Sequence, residues 1–294
     1  MAAVTDSPTA SVPGPAVVFH DQAAAARFES LRAGIVARMR DRYVWEEVPC
    51  PMCGKAEDGE PALTKYGIEM VRCRRCDHLY VSPRLPEEAV GDLYSSTYWD
   101  EYTRAIGSPT ITERSRFDYE NAFYKLRRDV LPYRKSGRLL DVGASNGGMV
   151  KAASEMGFSA EGVEPAADVC QIARNVHGVS LHCGDVRALG LTAGGYDVIT
   201  LHDVLEHLFA PIEVLAELRR LTAPNGILVV ETPTADSANF ADAGADWPTV
   251  SPLEHVHLFR EVNLTRLLRR LGFQILDFYC PHEDHMIAVV EVRG

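Results

Sequence analysis

Three acids stand at intervals that suit ligand recognition. Residues 137–148 read GRLLDVGASNGG, an apolar run that stops at Asp141 and turns through Gly143, Ala144 and Gly147 into a helical pattern. A second apolar run ends at Glu164 in GVEP, with Pro165 behind it, and a third ends in CGDV, with Asp185 followed by Val186. If each run is a parallel strand, the three carboxylates gather at the carboxyl ends of the sheet, where open α/β sheets bind nucleotide-like ligands. Glu164 would then accept from both hydroxyls of a ribose. Asp185 would read an adenine amino group, with the Val186 N–H turned to the ring. A glycine turn alone means little, but Asp141 before it repels a pyrophosphate and suits an amino group or a cationic sulfonium.

Cysteines form a second constellation. Cys50-Pro-Met-Cys53 is followed, after nineteen residues beginning with Gly54, by Cys73-Arg-Arg-Cys76. Two C-x-x-C pairs at this separation predict a zinc ribbon, in which each pair is a knuckle and four thiolates close a tetrahedral shell. A closed shell leaves no position for a catalytic water, so the zinc is expected to be structural. A redox dithiol is the competing reading. Cys170, Cys183 and Cys280 lie outside the ribbon and are expected to be core residues. The odd cysteine count of seven suits a reducing compartment. With no apolar run of membrane length and no basic, apolar leader at 1–19, the expectation is a cytoplasmic protein with no membrane partner. Most of the net charge of −11 falls in 131–294, which disfavours a phosphate backbone as partner.

The elements that must position these groups follow from periodicity. Residues 1–20 read as a disordered tail. Residues 21–45 hold a helix with Ala24, Phe28, Leu31, Ile35 and Met39 on one face, the ribbon takes 46–82, and 83–133 read as a helical connector or cap. Aromatics in that cap, Tyr94, Tyr98 and Trp99, are expected nearest a ligand. From 134 to 294, strands at 139–142, 160–164, 180–183, 196–201 and 227–232 alternate with amphipathic helices. That alternation predicts an α/β, doubly wound, Rossmann-like sheet beside a small N-terminal ribbon.

LLDVGASNG, GVEP, GDV, YDVITLHDVLEHL and APNGILVVETP together resemble the ordered motifs of class I S-adenosylmethionine-dependent methyltransferases. The resemblance implies a seven-stranded sheet whose last strand, near 286–292, runs antiparallel. It implies that Asp141, Gly143, Ala144 and Gly147 line the methionine end of the cofactor, and that His202-Asp203 faces the transferred methyl. The segment WPTVSPLEHVHLFR at 247–260 is similar to small-molecule methyltransferases, and its Glu254-His255 pair resembles deoxysugar C-methyltransferases that carry a zinc ribbon. Leu253 stands where those enzymes often have a histidine. Histidine titrates near neutrality and so suits removal of an acceptor proton. His255 is the first candidate base, His257 its alternate, Glu254 its orienting group and His207 a competitor. The expectation is methyl transfer to oxygen, nitrogen or carbon of a small polar metabolite, a sugar or natural-product intermediate of secondary metabolism. Two alternatives stand beside it, an rRNA methyltransferase using the ribbon to dock RNA and a non-catalytic ribbon interaction protein. Acceptor identity and oligomeric state are left open.

Overall fold

A computed structural model describes residues 22–55, 59–93 and 110–293 of the chain. Tyr94, Tyr98 and Trp99 lie outside the described residues. Helix α1 (Gln22–Arg42) leads into the ribbon strands β1 (Gly59–Lys65), β2 (Ile68–Cys73) and β3 (Leu79–Val81), followed by a single turn, α2 (Val90–Leu93). Helix α3 (Ser115–Lys125) continues as a π-helical turn, Leu126–Val130, into the main sheet.

Strands β4 (Gly137–Val142), β5 (Phe158–Glu164), β6 (His182–Cys183), β7 (Tyr196–His202) and β8 (Thr222–Pro233) pair in parallel. Between them run α4 (Gly148–Glu155), α5 (Ala167–His177) and α6 (Pro211–Leu221). After α7 (Ala238–Ala243), β9 (His257–Leu258) and α8 (Glu261–Arg270), a hairpin of β10 (Gln274–His282) and β11 (His285–Glu291) closes the sheet. The seven-stranded order is β10-β11-β8-β7-β4-β5-β6, with β11 antiparallel to both neighbours, as the family resemblance implies.

Both faces of this sheet are covered, because neighbouring residues of each strand bury on opposite sides. Leu139, Val198, Ile227, Val229, Ile287 and Val289 pack under α3 and α4. Leu140, Ile199, Leu228, Val230, Met286 and Ala288 pack against α6 and α8. Helix α1 turns Ile35 and Val36 onto the ribbon strands and onto Trp247, Val250 and Leu253.

Two expectations meet a different arrangement here. The ribbon's sheet is not confined to 46–82: β3 pairs antiparallel with β9 from the C-terminal half, giving a four-stranded sheet β1-β2-β3-β9. Cys50, Met52, Cys73 and Tyr80 pack into the core that also holds Phe259, Leu264 and Leu267. The remaining cysteines are not all core residues either. Cys170 is buried, but it is joined in a disulfide to the exposed Cys183, and Cys280 is exposed. Spacing along the chain carries no signal for a contact between α5 and the end of β6.

Candidate active site

The loop after β4 folds across the end of β5. Gly143 and Ala144 both donate to Val163 O at 2.9 Å, and Ser145 donates to Glu164 Oε2 at 3.0 Å. These loop N–H groups therefore hold the loop shut, and the recognition groups on offer are carboxylates. Gly143 and Gly147 have φ of 77° and 79°, and a side chain at either would strike Val204 or Val179. Such turns admit glycine and little else. Asn146 is buried and donates to Asp118 Oδ2 at 2.6 Å, so it pins α3 over the loop.

Asp141 is 5% exposed and accepts from Thr200 Oγ1 at 2.7 Å; burial raises its pKa, against the pull of His202. Glu164, 8% exposed, accepts from the Ala166 N–H at 3.0 Å as well as from Ser145, and burial raises its pKa too. Pro165 links Glu164 to α5. Asp185 is exposed and takes the Arg187 guanidinium, which lowers its pKa, while Arg187 also reaches Glu87 at 2.6 Å. Val186 is buried against the sheet. Successive strand pairings place Asp141, Glu164 and the turn before Asp185 along one edge of the sheet.

The corner after β7 carries more polar groups than the sequence suggests. Asp203 has φ of 54° and accepts from Lys125 Nζ at 3.3 Å and His285 Nε2 at 3.1 Å. Burial opposes its ionisation, but those two cations prevail and hold its pKa well below the carboxylate range. Lys125 also meets Glu231 at 2.7 Å. His202 lies 3.6 Å from Asp129 and 3.8 Å from Glu231. Burial pushes Asp129 up, yet His202 and Arg128 bring it down to about 2. Lys125, Asp129, Glu231 and His285 are absent from the sequence-level candidates because they come from α3, the turn after it, β8 and β11, elements joined only by the fold.

The histidine candidates separate clearly. His257 is fully buried, with Nδ1 at 3.1 Å from His78 Nε2 and Nε2 at 2.9 Å from Leu208 O. Burial takes its pKa to about 3, and it tethers the ribbon to the corner instead of facing the crevice. Glu254 does not orient His255: its carboxylate pairs with buried Arg32 of α1 and accepts from Ser251 Oγ at 2.5 Å. His255 and His207 do meet, their rings edge to face with centroids 4.6 Å apart, and both are half-buried. Burial lowers both, His207 to about 3. Beside them stands Glu206, 2% exposed, which burial and Asp203 push up to about 8. Its sequence signal was available, since it directly precedes His207.

Away from this crevice, the four ribbon cysteines bring their Sγ atoms within 4.8 Å of one another. Cys50 to Cys76 is 3.5 Å and Cys53 to Cys73 is 3.6 Å, near the ~3.8 Å edge of a tetrahedron with zinc–sulfur bonds of about 2.3 Å. Each knuckle closes alike: Gly54 donates to Cys50 O and Asp77 to Cys73 O, both at 2.8 Å and both with positive φ. The donor set fits a zinc ion.

Fold and site together define a class I methyltransferase-like α/β domain. The family model for the methyltransferase domain matches residues 118–277, and the chain belongs to that family. It is 28% identical over 195 residues to an uncharacterised 37.1 kDa protein of a Streptomyces fradiae transposon, covering 64% of this chain and 52% of that one. A ubiquinone biosynthesis O-methyltransferase of Burkholderia pseudomallei is 26% identical over 180 residues, covering 53% of this chain and 77% of the relative. The chain thus spans about half the length of the first relative and about three-quarters of the second. Among solved structures, the PH0226 protein of Pyrococcus horikoshii superposes with TM-score 0.52 at 18% identity, covering 66% of this chain and 99% of that one. The cyclase SpnF gives 0.52 at 19%, covering 69% and 95%. At these identities the likeness is one of fold, and a fold does not fix the chemistry it hosts. No helix among the described residues is long and apolar enough to cross a membrane.

Proposed function

We propose that the protein transfers a methyl group from S-adenosylmethionine to an oxygen of a small polar acceptor. The observation that carries this reading is the line of strand-end carboxylates, Asp141, Glu164 and Asp185, running up to a corner with two neutral, reachable imidazoles. The cofactor supplies an electrophilic methyl on a good leaving group, so positioning accounts for much of the rate. Glu164 holds the ribose hydroxyls, Asp185 and Val186 the adenine, and Asp141 with the 143–147 loop the methionine end. His202 and Asp203 wall the methyl side. An alcohol or phenol acceptor must also lose a proton, and His255, with His207 beside it, is the group proposed to assist that loss. Oxygen is favoured over the other acceptor atoms by the O-methyltransferase relative, and the strongly acidic net charge favours a small acceptor over RNA. The four ribbon thiolates are proposed to hold structural zinc.

The test pairs binding with turnover. Calorimetry with S-adenosylhomocysteine should show binding to the wild type and to His255→Ala, while methyl transfer from radiolabelled cofactor to a panel of phenols and sugars should fall at least ~100-fold in the variant. Normal turnover in the variant removes His255. No cofactor binding by folded wild type removes the whole reading.

A further inference from the structure

We propose that Cys170 and Cys183 form a thiol–disulfide exchange site that low-molecular-weight thiols and disulfides open and close, and that its state sets how firmly β6 is held at the adenine end of the cofactor site. The two cysteines are joined at a separation of 13 residues, from the first turn of α5 to the last residue of β6. Only the consequence for cofactor affinity rests on the methyl-transfer reading.

The bridge spans the two elements that follow the proposed ribose acid and precede the proposed adenine acid. Helix α5 begins soon after Glu164, and within its first turn the Cys170 N–H donates to Ala166 O at 3.0 Å. Cys183 stands opposite Glu164 in the β5–β6 register, two residues before Asp185. Both cysteines converge on one carbonyl. Glu164 O accepts from the Gly184 N–H at 3.0 Å and lies 3.5 Å from Cys170 Sγ. In the cystine that sulfur has no proton; in the reduced pair the thiol donates to this carbonyl.

Strand β6 needs such a clamp. It is two residues long, pairs with β5 at two positions and forms an edge of the seven-stranded sheet. An edge held by so few ladder bonds opens at small free-energy cost. A covalent link to α5 removes many of the open states. Without the link, a ligand has to find 182–186 in place, and its apparent affinity falls by the fraction of time that the segment is out of place.

Access decides which sulfur reacts. Cys170 is buried and Cys183 is exposed. The thiolate of an incoming small thiol bonds to Cys183 Sγ; the S–S bond breaks and its electron pair leaves on Cys170 Sγ, which takes up a proton. A second small thiolate attacks the small-molecule sulfur of the mixed disulfide and frees Cys183, which is protonated in turn. In sum, two small thiols give two electrons and two protons to the cystine and become one small disulfide. Excess small disulfide drives the same steps backwards. Cys280, also exposed, is a free cysteine and offers no second site of this kind.

Full-length, zinc-loaded protein equilibrated with oxidised or with reduced glutathione tests the site, its peptides being mapped by mass spectrometry after alkylation. A linked pair containing Cys170 and Cys183 is expected in the first buffer and two alkylated cysteines in the second. Calorimetry should give an affinity for S-adenosylhomocysteine at least ~10-fold weaker in the reduced protein, and Cys183→Ser should bind like reduced wild type in both buffers. Hydrogen exchange of 181–186 should quicken on reduction and in the variant, which reports the clamp without any ligand. Absence of the linked pair, equal affinity in the two buffers, or a redox response that survives in Cys183→Ser would overturn the proposal. If neither form binds S-adenosylhomocysteine, the methyl-transfer reading falls and hydrogen exchange decides the clamp: faster exchange on reduction supports it and unchanged exchange overturns it.

Discussion

Glu164→Gln is the most direct perturbation of the proposed cofactor site. The carboxylate is 8% exposed and held between the N–H groups of Ser145 and Ala166, each at 3.0 Å. Its remaining lone pairs are therefore aimed out of the loop, where two ribose hydroxyls would donate to it. Hydrogen bonds to a charged group contribute about 1.5–3 kcal/mol each. An amide keeps one accepting oxygen but turns an NH2 toward one hydroxyl and toward one backbone N–H. Losing one charged bond and facing a donor with a donor should cost about 3 kcal/mol, or roughly 100-fold in dissociation constant. Calorimetry with S-adenosylhomocysteine reads this, beside urea unfolding to confirm that the variant is folded. Glu161→Gln is the control: it lies on the same strand but is spent on His182, Arg138 and Tyr196. If Glu164→Gln binds within about threefold of wild type, the ribose does not lie across the end of β5 and the reasoning fails.

Other perturbations probe the scaffold. Arg32→Met strands the buried Glu254 carboxylate and should cost about 3–5 kcal/mol in urea unfolding, most of it recovered by adding Glu254→Gln; equal losses in single and double variants would contradict the pairing. Stripping zinc should weaken S-adenosylhomocysteine binding along with ribbon structure, because β3 pairs with β9 and Cys50 and Cys73 sit in the shared core. Unchanged affinity after chelation would show the ribbon to be a separate unit. Asp129 has its pKa lowered from 3.8 to about 2, so its contribution is present above the unfolded value and lost as pH falls from about 4 toward 2. That shift amounts to about 2.5 kcal/mol, and Asp129→Asn should flatten this part of the acid limb of the stability curve; an unaltered limb would refute it.

Much of the strand framework that carries the proposed cofactor site was legible in the chain. Asp141, Glu164 and Asp185 each end an apolar run, and the two-sided burial of Leu139 and Leu140 or of Val229 and Val230 follows from strand alternation alone. Helix positions along 148–155, 167–177 and 211–221 were equally readable, since local pattern dictates them. The histidines were legible as residue types only. His255 and His257 are two positions apart in one segment, yet one is half-buried beside His207 and the other is sealed between His78 and Leu208 O.

Sequence by itself determined the class of sheet, the order of its acids and the two cysteine knuckles, because strand periodicity, tight turns and chelation are local properties of short segments. Tertiary structure alone decided that Glu254 answers to Arg32 and not to His255, that β9 completes the ribbon's sheet, and that Glu206 joins two imidazoles from distant segments. Contacts of that kind depend on which side chains the closed sheet brings within a few ångströms, and spacing along the chain does not encode that distance.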